Sequence, residues 1–151
     1  MDARKKARLA VGGAVGVGVA LFISALFFDV ATLERGTLSG IFVLLAGWMG
    51  IYLGQIGWVA NLLIVVVWVL SFIAKRRTAV IAFVLSVFTL GIGLSSFVTM
   101  DHQEWNVVEL HLHGELQSFG PGIYLWCVGL LSAPAAAALS LFLSPPADEA
   151  P

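Results

Sequence analysis

Charge is what this chain has least of. Its 151 residues include 8 Lys and Arg and 9 Asp and Glu, so charged residues make up 11%. A soluble domain carries about 25%. With 60% hydrophobic residues and a mean hydropathy of +0.98, a soluble globular fold is excluded and an integral membrane protein is implied. Cysteine occurs once, at Cys127, which excludes an intrachain disulfide; its apolar neighbours mark a packed, inert thiol. The basic residues are few and clustered, so no nucleic-acid surface is present. Walker, dinucleotide-binding and H-E-x-x-H motifs are missing. No Asp, Glu, Lys, Arg or His falls inside a predicted span, which argues against proton-coupled transport. The chain therefore reads as a non-enzyme without a cofactor.

What is there is long apolar runs. A basic tail, "MDARKKAR", precedes the uncharged run Leu9 to Phe28. That run is too long for a signal-peptide core of about 7–15 residues and lacks a small-residue cleavage site, so it reads as an uncleaved anchor. "DVATLERG", 29–36, reads as a short polar loop. From Thr37 to Ala74 no residue carries a formal charge. One straight helix of that length would measure about 57 Å, far more than one crossing needs. The run is interrupted by Gly47, Gly50, Gly54 and Gly57, with Gln55 and Asn61 among them, and glycine lowers helix preference.

The expected fold is an all-α membrane domain over 1–151, with spans near 9–28, 56–74, 79–100 and 121–143. Segment 38–54 is re-entrant or interfacial, and an external loop is β-like. Pro134 should kink the last span, and "SPPADEAP" forms a tail.

The positive-inside rule orients this arrangement. Arg4, Lys5, Lys6 and Arg8 precede the first span, and Lys75, Arg76 and Arg77 follow the second. Placing both clusters in the cytoplasm requires an even number of crossings between them. The outcome is four crossings, with both termini cytoplasmic. The rival reading has five, with 38–54 crossing fully; seventeen residues of helix reach about 25 Å.

Gly50 and Gly54 form a G-x-x-x-G pair, and Gly12 and Gly16 another, a pattern of close helix packing. Substitution at Gly50 or Gly54 should accordingly cost more stability than at Gly114. Gln55 and Asn61 are the polar residues that would line a pore or pocket. Trp48, Tyr52 and Trp58, with Tyr124 and Trp126 in the last span, read as interface anchors. "GWMGIYLGQIGWVANLL" resembles the G-W-x-G…W-x-A-N-P-L-L pattern of small uncharacterised bacterial inner-membrane proteins. "GIYLW", 122–126, resembles the G-Y-Y-L-W opening of their last span. The likeness covers two short patches and departs at Leu62, where the pattern has proline. It implies an inner-membrane location and a segment outside the crossing count, but no activity.

The chemically suggestive stretch is "ELHLHGEL", 109–116. Its alternation favours a strand with Glu109, His111, His113 and Glu115 on one face. These residues and His102 are candidate metal ligands, but they make a weak set, because zinc takes three or four preorganised ligands. A solvated polar face and a pH-responsive contact are the other readings. The function most consistent with the sequence is association: a subunit, scaffold or homo-oligomer in the bilayer. The alternative is a passive pore or small-solute carrier built around 38–61.

Overall fold

The computed structural model describes residues 3–53, 55–73, 75–101, 105–107 and 112–143. Helix α1 (Ala3–Leu26) leads into β1 (Asp29–Arg35) and β2 (Thr37–Ser39). Helix α2 (Gly40–Ala46) continues as a 3₁₀ stretch, Gly47–Leu53. A 3₁₀ turn at Ile56–Trp58 then opens α3 (Val59–Phe72). Helix α4 (Arg76–Asp101), strands β3 (Trp105–Val107) and β4 (Leu112–Phe119), and helices α5 (Pro121–Leu130) and α6 (Ser132–Leu143) complete the chain. Three helical segments are long and apolar enough to cross a membrane: Lys5–Leu26, Arg76–Met100 and Pro121–Leu143. Gly40–Tyr52 and Ile56–Phe72 are shorter apolar helices.

The chain is thus mostly helical, but not all-α. A four-stranded antiparallel sheet, in the order β2-β1-β4-β3, lies where α1 and α4 end and α5 begins. The 29–36 segment, expected to be a loop, is its central strand. Bulges hid it. Between Asp29 and Ala31 the pairing with β2 slips, so Val30 and Ala31 are both buried and simple alternation is lost. The tight return to β2 needs Gly36, at φ 96, a conformation other residues rarely adopt.

Strand β4 is bulged in the same way. Arg35 pairs with His113 but Leu33 with Leu116, and Thr32 with Ser118, so β4 has one extra residue in each interval. The first interval holds Gly114 at φ 95. The second leaves Gln117 and Ser118 both exposed while Leu116 and Phe119 turn inward. A side chain at Gly114 would strike Glu34. Gly114 is therefore a demanding position.

Helices α3 and α4 form an antiparallel pair around 73–75. Their buried faces recur at helical spacing: Ala60, Ile64, Val67 and Ser71 on α3, and Ala79, Ala82, Ser86 and Thr89 on α4. Small side chains let backbones approach where lipid offers no hydrophobic drive to associate. The span hydroxyls turn back on their own helices, as Ser86 Oγ to the Phe83 carbonyl at 2.6 Å and Thr89 Oγ1 to Leu85 at 2.8 Å. The outward faces carry Val65, Val69, Val84, Val87 and Phe88, an apolar exterior suited to lipid.

The last span breaks at Leu131, between α5 and α6. Pro134 lacks the N–H that would bond the Leu130 carbonyl, and its ring crowds that group, so the kink falls one turn before the proline.

Candidate functional site

A cavity of about 90 Å³ lies beneath the sheet, walled by α1, α2, the Ile56–Trp58 turn, α4 and α5. Two indole hydrogen bonds build its walls. Trp58 Nε1 donates to the Leu44 carbonyl at 3.0 Å. That carbonyl belongs to the last turn of α2, so the bond folds the 47–57 segment back on the helix. Gly47 leaves the room; a Cβ there would lie 2.6 Å from the Trp58 ring.

Deeper in, Trp126 Nε1 donates to Asn61 Oδ1 at 2.7 Å, joining α5 to α3. Gly57 lets the turn sit against α4, because a Cβ there would strike Ser96. The segment between Gly40 and Trp58 is held at both ends. Gly40 N donates to the Phe28 carbonyl at 2.9 Å at one end, and Gly57 abuts Ser96 at the other.

The cavity brings Gln55 and Asn61 together, with Trp58 and Trp126. The structure gives each tryptophan an internal hydrogen-bond partner. Trp48 and Tyr52 stand on the exposed face of the 3₁₀ stretch, and Tyr124 is also exposed. Gly50 lies in that stretch against Gln55, a residue of its own loop. Gly54 lies outside the described residues. Sequence reasoning missed Leu44, Ser96, Thr99 and Met100, which also line the cavity. Nothing in their local pattern separates them from lipid-facing or packed neighbours.

His102, Glu109 and His111 lie outside the described residues. His113 is placed by its backbone, opposite Arg35 and Asn106, and Glu115 is exposed on β4. Among the described residues no group of three or more His, Cys, Asp or Glu is placed to hold a metal ion. No family model, curated protein or solved structure matches the chain.

Proposed function

We propose that this chain is a four-crossing protein of the bacterial inner membrane that acts by association, with a second copy of itself as the first partner. The crossings are α1, Ile56–Phe72, α4 and α5–α6, with 40–53 entering and leaving on the sheet side. The support for this orientation is the separation of charge. Lys5, Lys6 and Arg8 open α1 and Lys75, Arg76 and Arg77 open α4, at the ends remote from the sheet. Basic ends favour the cytoplasm, which puts both termini inside and the sheet outside.

The observation that carries association is the outer face of α1. A Cβ at Gly13 or at Gly16 would meet nothing within 4 Å in this chain, whereas one at Gly18 would meet Ser132 and Trp68. A helix-interior glycine costs roughly 1 kcal/mol against alanine. Gly18 recovers that cost by packing; Gly13 and Gly16 recover nothing internally. With Ala20 on the same exposed face, they form a small-residue ridge of the kind that lets two membrane helices meet closely.

Energy transfer between differently labelled chains in vesicles tests the reading. Gly16→Leu should abolish transfer while leaving helicity and thermal stability unchanged, and Gly18→Leu should unfold the chain. Undiminished transfer in Gly16→Leu would remove α1 as the seam.

The second reading, a small-solute protein built around 38–61, is supported by the cavity.

A further inference from the structure

The cavity has a chemical bias. Trp126 is a donor only, so it fixes the Asn61 amide with its oxygen toward the indole. The end left for the cavity is the NH₂, itself a pure donor, and it has no other partner among the described residues. Among the described residues no charged one lines the cavity, and most of its wall is apolar. An occupant must therefore be neutral at this point, largely hydrocarbon, and carry a hydrogen-bond acceptor.

The mouth says where it comes from. Of the lining residues, Leu44 alone is classed as exposed. It continues an outer apolar face with Ile41, Leu45 and Met49. Exposed Trp48 and Tyr52 follow in the adjoining 3₁₀ stretch, the residue types that mark the membrane interface. Ester carbonyls of membrane lipids sit at that depth.

The volume, about 90 Å³, is several times the roughly 10–15 Å³ that one water needs on the same measure. It holds a carbonyl and its first methylenes and leaves the rest of a chain outside.

We infer that this cavity is a lipid site: it takes the ester end of one membrane acyl chain, entering past Leu44, with the ester carbonyl accepting from the Asn61 NH₂. The site is independent of the α1 seam, and its test reads ligand retention, not self-association.

Native mass spectrometry of the full chain, released from nanodiscs holding equal amounts of a diester phosphatidylcholine and its diether analogue, tests it. The diether lacks the carbonyl acceptors. One diester lipid per chain should be retained in about five-fold preference, the fold-change expected for one neutral hydrogen bond. Equal retention of the two, or retention of neither, overturns the proposal. Ala25→Leu, which fills the wall, should lose the lipid, and Val87→Leu on the exposed face of α4 should keep it. A folded Ala25→Leu that retains the lipid overturns it as well. If Ala25→Leu does not fold, the diester and diether comparison on the unaltered chain decides alone.

Discussion

The indole N–H of Trp126 donates to the side-chain carbonyl of Asn61 at 2.7 Å, and this one bond ties α5 to α3. Hydrogen bonds of this kind between membrane helices contribute about 0.6–1.7 kcal/mol. Trp126→Phe and Asn61→Leu should each lower stability in an SDS-titration unfolding assay by about 1 kcal/mol or more. The double mutant should cost less than the sum, with a coupling of about 0.6–1.7 kcal/mol. Strict additivity would mean the two residues do not act as a pair.

Gly57 and Ser96 are a second coupled pair, steric in nature. Gly57→Ala should destabilise by about 1–3 kcal/mol, the usual cost of overpacking a tight site. Ser96→Gly should restore much of that loss, because it removes the side chain the new methyl would strike. Thermal melts of the three variants in one detergent settle it; no rescue would place the strain elsewhere.

Gly114 combines a positive φ with the nearby Glu34 side chain. Gly114→Ala should cost about 1–2 kcal/mol, and shortening Glu34 to alanine should recover the contact part only. Gln117→Ala, at an exposed position in the other bulge, should stay within about 0.5 kcal/mol of the parent. A Gly114→Ala variant as stable as Gln117→Ala would overturn the bulge assignment.

The membrane arrangement is open to labelling. Single cysteines introduced at Gly36, Trp48 and Tyr52 in a Cys127→Ala background should react with an impermeant maleimide from outside the cell. One introduced at Arg77 should react only after permeabilisation. Labelling of Gly36 and Tyr52 from opposite sides would mean that 38–54 crosses.

The helical part of the fold is legible because lipid imposes one rule over twenty-odd residues: no charge, and every backbone group bonded internally. Breaks at Gly54–Gly57 and near Pro134 can be read for the same reason, since glycine and proline act locally. The helix boundaries still shift, and α1 begins at Ala3, inside the basic tail.

The sheet is less readable. β1 and β4 owe their pairing to each other across most of the chain, and three bulges break the alternation that would announce them. At the cavity, the amides of Gln55 and Asn61 stand out because polar groups in an apolar run need partners. Trp126 does not stand out as such a partner, because an interfacial tryptophan and an internal donor look alike until the neighbouring helix is known.

The distance in sequence between β1 and β4 also sets an order of events during synthesis. Strand β1 leaves the ribosome directly behind the first membrane helix, while its partner begins at Leu112. At 5–20 residues per second, the strand waits roughly 4–15 s for a mate. Strand β2 follows at once and covers one edge of β1; for that interval the other edge stays unpaired, the template on which chains join wrongly. The sheet therefore closes only after α1 to α4 have been made, and until then the nascent chain is most vulnerable to misassembly on the side that later bears it.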